Sequence, residues 1–255
     1  FTFANHLAGV KVGVIFDIDL THKSGGKPNQ QWHQNKLLFS NIYGHLLPFG
    51  VKPERIEYDA STIRKFNPGN SLISIIIPTK DKIDLLIDCI QSIINHTHIA
   101  RYEIIVADTG STNENRKKLL DWVNILGKKP NFYGIKIIQY DYYNFAKINN
   151  DVVKNYLSKK SSHVLFCNND IRLLNDAIDR CLYLFKEKNK VGTVGIRLHY
   201  ADYSIQHNGI ELFFGMGKIM TLTHRNIHSY YRYDRATVEV SGNTAAFLLM
   251  ERPVF

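Results

Sequence analysis

The sequence predicts an α/β domain whose mostly parallel sheet is flanked by helices on both faces. From residue 71 onward, short apolar runs alternate with segments whose apolar residues recur at helical spacing. Polar and turn-forming residues follow the apolar runs directly. Such alternation is typical of βαβ units, whose strands are buried under helices.

Each predicted strand is a run of apolar residues that ends at a turn signal. The first ends at Pro78, and the second ends at Asp108, before a turn with helix-capping residues. The third ends before Asp141, and the fourth ends before two asparagines and Asp170. The predicted strands cover residues 72–77, 102–107, 134–140, 163–167 and 192–198.

The predicted helices lie between these strands, and the first has the clearest amphipathic pattern. It places Leu86, Cys89, Ile90 and Ile93 on one face, which the sheet is expected to bury. The predicted helices cover residues 81–96, 113–126, 145–157 and 176–188.

The first 70 residues have a different pattern from the rest. They include a short apolar strand within residues 11–19, a predicted helix over 30–47 and a linker rich in proline and glycine. We therefore predict a partly helical N-terminal connector, residues 1–70, ahead of one domain over residues 71–255. Because the sequence stops at Phe255 just after an apolar run, we expect this domain to be C-terminally incomplete.

Composition is that of an ordinary globular protein, with 44% hydrophobic and 22% charged residues. The net charge of +9 favours phosphorylated ligands and leaves peripheral contact with an anionic membrane open. Its basic residues are scattered, so we expect no nucleic-acid partner. Three cysteines without a CxxC motif predict buried thiols in a reducing compartment. No signal peptide or bilayer-spanning run is visible, which predicts a cytoplasmic protein, with a place at the inner membrane left open.

Two carboxylates at predicted strand ends are candidate ligand-binding groups. Asp170 could hold a divalent cation together with substrate phosphate oxygens, although such a turn is also a common way to end a strand. Asp108 could accept from a base N–H or a ribose hydroxyl, or it could cap the following helix. Neither residue alone decides between these roles.

The order of several motifs resembles family 2 glycosyltransferases of the bacterial polysaccharide and O-antigen branch. SIIIPTKD at 74–81 and YEIIVADTGST at 102–112 resemble the opening strand and the nucleotide-binding strand of that family. LFCNND at 165–170 resembles the LLNND form of its metal-binding DxD motif. Further similarities are NFAKINN at 144–150, VGTVG at 191–195, IQHNG at 205–209 and TAAFLLMER at 244–252.

The resemblance implies a GT-A fold, which is Rossmann-like, and a donor site that binds a UDP- or dTDP-sugar. Thr79 and Asp108 would line the nucleoside pocket, and Asp170 would bind Mn²⁺ or Mg²⁺. Thr244 would lie by the sugar and acceptor, whereas Lys147 and His207 have surface and structural alternatives. The residues implied to bind the donor are Pro78, Thr79, Asp108, Gly110, Lys147, Asn168, Asn169, His207 and Thr244.

The implied reaction is inverting transfer to a glycan or lipid-linked glycan acceptor. A carboxylate would deprotonate the acceptor hydroxyl, which attacks the anomeric carbon in line while the nucleoside diphosphate leaves. In the family this base follows the segment that TAAFLLMER resembles, so we expect it beyond Phe255 and assign no catalytic residue.

Three alternatives remain open at this point. The sequence FDIDLT at 16–21 matches the nucleophile loop of haloacid-dehalogenase-type phosphatases, with Asp17 as nucleophile and Asp19 as acid and base. A nucleotide-sugar pyrophosphorylase would need a glycine-rich phosphate loop after the first strand, and residues 78–81 contain no glycine. A carbohydrate- or nucleotide-binding module could retain the fold without catalysis.

Overall fold

The computed structural model describes residues 11–22, 55–56, 63, 65–127, 129–201, 204–214, 220–224 and 237–255. The helix predicted over 30–47 lies outside the described residues. The helices are α1 (Ile83–His96), α2 (Asn113–Asn124), α3 (Phe145–Asn155) and α4 (Ala177–Glu187). The strands are β1 (Lys11–His22), β2 (Arg55–Ile56), β3 (Leu72–Thr79), β4 (Arg101–Asp108), β5 (Phe132–Gln139), β6 (His163–Cys167), β7 (Ile171–Leu173), β8 (Val191–His199), β9 (Ile205–His207), β10 (Ile210–Phe214), β11 (Met220–His224), β12 (Thr237–Glu239) and β13 (Phe247–Glu251).

One large sheet organises the described residues, with the strand order β2-β12-β1-β8-β13-β6-β3-β4-β5. Strands β1, β8, β6, β3, β4 and β5 run in one direction, which confirms the predicted mostly parallel sheet. β13 is antiparallel to both of its neighbours, β8 and β6. The carboxyl ends of the parallel strands therefore lie along one edge, where ligands bind in open α/β sheets.

Helices cover both faces of this sheet because successive strand residues point to opposite sides. In β3, Ile73, Ile75 and Ile77 belong to the core that contains buried residues of α1, α2 and α4. Ile76 belongs to a second core, which contains α3. Each such isoleucine, once fully buried, stabilises the fold by about 1.5–3 kcal/mol.

The predicted strands and helices of residues 71–198 are all present, with small shifts at their ends. Residues 163–167 form β6 with the predicted bounds. β3 continues through Pro78 to Thr79 instead of ending at the proline. α1 begins at Ile83 instead of Asp81, because Asp81 and Lys82 have left-handed backbone conformations that cannot start a helix.

The N-terminal residues contribute more to the sheet than the sequence predicts. β1 is longer than the predicted strand and pairs in parallel with β8. Asp17 and Asp19 lie inside β1 and not in a loop after it, so the phosphatase alternative receives no support. The division at residue 70 stays a prediction.

A buried carboxylate, Glu103, joins three segments near the amino ends of the strands. Ser74 Oγ donates to it at 2.7 Å, the Ser158 N–H at 2.7 Å and Lys136 Nζ at 2.9 Å. Burial alone would raise the pKa of Glu103, but these three donors outweigh burial and lower the pKa below its usual value. Ionised Glu103 therefore stabilises the fold.

We expect Glu103→Gln to lower the free energy of unfolding at neutral pH by about 1–3 kcal/mol, because the amide cannot satisfy all three donors. Since the folded-state pKa is lowered, the contribution of Glu103 is present above its ordinary pKa and is lost as the pH falls through the folded-state value. Urea denaturation of both proteins across this range should therefore show the stability difference shrinking on acidification. A difference independent of pH would contradict the assigned role.

Candidate functional site

The carboxyl ends of β3, β4 and β6 are joined by hydrogen bonds through Thr79. The Thr79 carbonyl accepts from the Thr109 N–H at 2.8 Å and from Thr109 Oγ1 at 2.9 Å. Thr79 Oγ1 accepts from Asn169 Nδ2 at 2.9 Å. The turn after β6 is therefore held against the ends of the two strands that the sequence predicts to bind a nucleoside.

The turn between β3 and α1 has an unusual backbone. Asp81 and Lys82 have φ values of 51° and 54°, a conformation that costs about 1–2 kcal/mol for each residue with a side chain. The Asp81 N–H donates to Ser111 Oγ at 2.7 Å, and Asp81 Oδ1 accepts from the Thr112 N–H at 2.9 Å. These contacts offset the cost and fix the turn after β3 against the turn after β4.

A cavity of about 120 Å³ opens beside these turns, on the side of the sheet that α1 and α2 cover. Asp108 and Arg116 are the charged residues among the described side chains that line it. The full lining is Thr79, Ile83, Asp108, Ser111, Arg116, Leu119, Leu120, Ile137 and Gln139. Apolar walls with a few convergent polar groups are typical of a small-molecule site.

Asp108 is 2% exposed and has a hydrogen-bond donor on each carboxylate oxygen. The Ser111 N–H donates to Oδ1 at 2.8 Å, and Arg116 Nε donates to Oδ2 at 2.6 Å. Burial alone would raise the pKa of Asp108, but the donors from Ser111 and Arg116 lower it below its usual value. Asp108 is therefore ionised at neutral pH. The N-cap residue of α2 is Thr112 and not Asp108. Asp108 instead stabilises the turn between β4 and α2.

The Asn168–Asn169–Asp170 turn lies between β6 and β7. The Asn168 N–H donates to the Ala246 carbonyl at 2.9 Å, which ties this turn to the segment before β13. Below it, the thiols of Cys89 and Cys167 both donate to the Asn168 carbonyl, at 3.5 and 3.4 Å. All three cysteines are buried free thiols, as predicted. Asp170 itself is buried.

Two further predicted residues, His207 and Thr244, contact each other. The Thr244 N–H donates to Nε2 of the buried His207 at 3.3 Å. Thr244 Oγ1 accepts from the Ala246 N–H, and Ala246 contacts Asn168. Hydrogen bonds thus lead from the strand-end turn to the segment predicted to face the sugar.

The remaining predicted residues have less central places. Pro78 lies inside β3, and Gly110 has a φ of 101°, which favours glycine in the turn after β4. Lys147 is exposed in the first turn of α3, with its ammonium 4.5 Å from the centre of the Tyr142 ring. That contact fits the surface alternative for Lys147.

Comparison with known proteins identifies the family. The family model described as Glycosyl transferase family 2 matches residues 74–255. The chain belongs to glycosyl transferase family 2. This confirms the resemblance carried by the ordered motifs, and the pyrophosphorylase alternative no longer applies.

Two curated relatives of this family 2 chain are far longer than it is. The uncharacterized protein y4gI of Sinorhizobium fredii is 28% identical over 192 residues, 73% of this chain and 20% of the relative. The O-antigen biosynthesis protein RfbC of Myxococcus xanthus is 28% identical over 143 residues, 56% of this chain and 10% of the relative. The chain thus spans a fifth or less of the length of these relatives.

A solved structure supports the fold of this family 2 chain. GalNAc-T7, solved with UDP, GalNAc and Mn²⁺, is 10% identical, with a TM-score of 0.53 over 95% of this chain and 50% of that one. The predicted GT-A fold is confirmed. At this identity the likeness concerns the fold alone.

A divalent cation fits the donor set of this family 2 chain. The described residues contain no group of three or more His, Cys, Asp or Glu side chains that could enclose a metal. Mg²⁺ and comparable cations often take one or two carboxylates and complete their shell with water and substrate phosphate oxygens. Asp170, which directly precedes β7, is the candidate for such a carboxylate.

A close approach at Gly195 supports the segment that contains Thr244. A Cβ at Gly195 would lie 2.5 Å from Cγ and Oδ1 of Asn243. We expect Gly195→Ala to displace Asn243 and to lower the free energy of unfolding by about 1–3 kcal/mol. Thermal denaturation measures this, with Gly127→Ala as the control, since a Cβ at Gly127 meets no atom within 4 Å. Equal effects at both glycines would contradict it.

Arg116 and Asp81 are the charged residues near the cavity that sequence reasoning missed. An arginine on an exposed-looking helix reads as a solvated charge, and its pairing with Asp108 depends on how α2 packs on the sheet. Asp81 reads as the start of a helix. One signal in the sequence could have found this pair. Arg116 follows Asp108 by eight residues, and the capped turn between them brings the end of the strand close to the start of the next helix.

Proposed function

We propose that this chain is the donor-binding part of a metal-dependent, inverting glycosyltransferase. It takes a sugar from a UDP- or dTDP-linked donor and serves the synthesis of a cell-surface polysaccharide. The observation that carries this proposal is the hydrogen bond from Asn169 Nδ2 to Thr79 Oγ1, which joins the turn with the proposed metal ligand to the wall of the cavity.

The cavity beside Asp108 suits a nucleoside. Its apolar side chains, among them Ile83 and Leu119, offer surfaces for a planar base, and ionised Asp108 offers an acceptor for a base N–H or a ribose hydroxyl. A carboxylate has about four acceptor positions. The Ser111 N–H and Arg116 Nε occupy two of them, and the Ser111 hydroxyl also hydrogen-bonds to the carboxylate. The capacity that remains is proposed to serve a ligand.

Asp170 is the proposed ligand of Mn²⁺ or Mg²⁺. When bound, the cation stabilises the negative charge that develops on the leaving diphosphate. The protein's own part is to hold the carboxylate at the strand end, next to a turn tied to Thr79 and Ala246. That placement supports a position for the diphosphate between the nucleoside cavity and the segment containing Thr244 and His207.

Inverting transfer requires an acceptor hydroxyl on the face of the sugar opposite the diphosphate. A carboxylate base removes the hydroxyl proton as the oxygen attacks the anomeric carbon, and no covalent enzyme intermediate forms. We assign no described carboxylate as this base. Thr244, bonded to His207, is proposed to face the sugar and acceptor.

The similarity to RfbC supports a glycan or lipid-linked glycan as the acceptor. No helix in the described part of the chain has both the length and the apolarity needed to cross a bilayer. We propose that the enzyme acts in the cytoplasm, where activated nucleotide sugars are available. We also propose that the chain, whose net charge is +9, contacts the anionic surface of the inner membrane.

Calorimetric titration of the chain with UDP and with dTDP tests the proposal. Each nucleotide is titrated with Mn²⁺ and again with EDTA. We expect Mn²⁺-dependent binding of at least one of them, and the tighter of the two identifies the preferred base. Equal binding with and without metal would contradict the role of Asp170. The activity assay uses the full-length protein and the matching nucleotide sugar. If the protein binds the nucleotide but neither hydrolyses the nucleotide sugar nor transfers its sugar, a non-catalytic binding module is favoured.

A further inference from the structure

Arg116 lies near the N-terminus of α2, where a positive charge lowers the stability of the helix. It lies in the first turn of α2, and its N–H donates to the Thr112 carbonyl at 2.9 Å. The positive end of the helix dipole favours acidic residues in this turn. A guanidinium there, directed at a buried carboxylate, needs an explanation beyond the folding of α2.

The geometry of the ion pair supplies that explanation. Arg116 Nε lies 2.6 Å from Asp108 Oδ2, and the Arg116 side chain is 28% exposed whereas that of Asp108 is 2% exposed. Both line the cavity. Together with the Ser111 N–H on Oδ1, the guanidinium fixes the plane of the carboxylate from two directions. The free acceptor positions of Asp108 then have a defined orientation.

We propose that Arg116 is a positioning residue that holds Asp108 as a fixed anionic acceptor for an N–H of the donor's base. The proposal rests on the proposed function. A fixed anionic acceptor favours bases that present a ring N–H beside a carbonyl, as uracil, thymine and guanine do. It disfavours cytosine and adenine, which present a ring-nitrogen lone pair at the corresponding edge.

The surroundings of Asp108 are consistent with this role. Burial raises the pKa of Asp108, and the hydrogen bonds from Ser111 and Arg116 together with the charge of Arg116 reverse that effect. The described cavity residues from β3, α1 and β5 are Thr79, Ile83, Ile137 and Gln139, and none carries a charge. Among the described lining residues, Arg116 is therefore the cation that keeps Asp108 ionised.

The test compares Arg116→Gln and Arg116→Lys with the unmodified chain. UDP, dTDP, GDP, CDP and ADP are titrated in the presence of Mn²⁺ between about pH 4.5 and 8. This range lies above the ordinary aspartate pKa of about 3.9, so Asp108 of the unmodified chain, whose pKa is lowered, stays ionised throughout it. The control is Arg180→Gln, which removes an Nε–carboxylate pair of 2.7 Å with Asp176 outside the cavity. Comparison at equal pH cancels the titration of the nucleotide itself.

We expect Arg116→Gln to weaken binding of the preferred nucleotide about tenfold or more, the effect of losing a charge-assisted hydrogen bond. As the pH is lowered, Arg116→Gln should lose binding at a higher pH than the unmodified chain does. The ratio of the affinity for the preferred nucleotide to the affinity for CDP should also become smaller in this variant. Arg116→Lys should change the pH dependence of nucleotide binding less than it changes the affinity. Arg180→Gln should change neither.

Three outcomes would overturn the inference. A chain that binds no nucleotide with Mn²⁺ overturns the proposed function as well. A chain that binds a nucleotide while Arg116→Gln keeps its affinity and acid profile overturns the positioning role alone. An equal loss for all five nucleotides, with an unshifted acid profile and a lower melting temperature, assigns Arg116 to the packing of α2.

Discussion

Replacing Asp170 with asparagine is expected to reduce Mn²⁺-dependent nucleotide binding by about 100-fold or more. The substitution keeps the size of the buried side chain and removes its negative charge, so a cation bound there would lose its proposed anionic ligand. Titration of UDP and dTDP with Mn²⁺ measures the effect. Binding with EDTA should change little, because the nucleoside cavity around Asp108 remains intact.

Asp176→Asn is the matched control for this experiment. Asp176 follows Asp170 by six residues and pairs with Arg180 at 2.7 Å, without lining the cavity. We expect metal-dependent binding unchanged in this variant. If Asp170→Asn retained full Mn²⁺-dependent binding, the metal ligand would have to be sought elsewhere in the chain.

Asp179→Ala is expected to cause the largest loss of stability, about 3–5 kcal/mol. Asp179 is 1% exposed and accepts from the N–H groups of His98, Ile99 and Ala100, which connect α1 to β4. Alanine would leave these donors without an acceptor, and each buried unsatisfied donor costs about 1–3 kcal/mol. Urea denaturation monitored by circular dichroism measures the change in free energy of unfolding.

Two companion variants make the stability experiment specific. Burial raises the pKa of Asp179 in spite of its three donors, but the donors lie on both carboxylate oxygens. Asp179→Asn should therefore recover only part of the lost stability, because its amide nitrogen cannot accept a hydrogen bond. Asp84→Ala removes an exposed carboxylate paired with Lys118 and should cost less than about 1 kcal/mol. A loss at Asp179→Ala no greater than at Asp84→Ala would contradict the role given to Asp179.

Most of the parallel core could be predicted because its signals are local. The run from His163 to Cys167 is apolar on both sides, and the structure contains that strand with the predicted bounds. The antiparallel strand β13 was not predicted. Its residues, Phe247–Glu251, form a strand through pairing with β6 and β8, which are distant in the sequence. No local pattern encodes that insertion.

The same distinction applies to the site. The family resemblance implied that both Thr79 and Asn169 bind the donor, and they are hydrogen-bonded to each other. The role of Arg116 depends on the approach of a helix to a strand end, and the left-handed backbone of Asp81 depends on contacts with Ser111 and Thr112. Such features arise from tertiary contacts and leave no periodic signal in the sequence.

The central position of β13 has a consequence for synthesis on the ribosome. Cys167 of β6 is made 80 residues before its partner Phe247. At about 5–20 residues per second, the edge of β6 waits roughly 4–16 s for β13, and Gly195 of β8, made 53 residues before its partner Leu248, waits roughly 3–11 s. During this interval both edges can pair with strands of other nascent chains. Chaperone binding to the incomplete sheet, or slow codons between residues 199 and 247, would therefore affect the yield of folded protein more than its final stability.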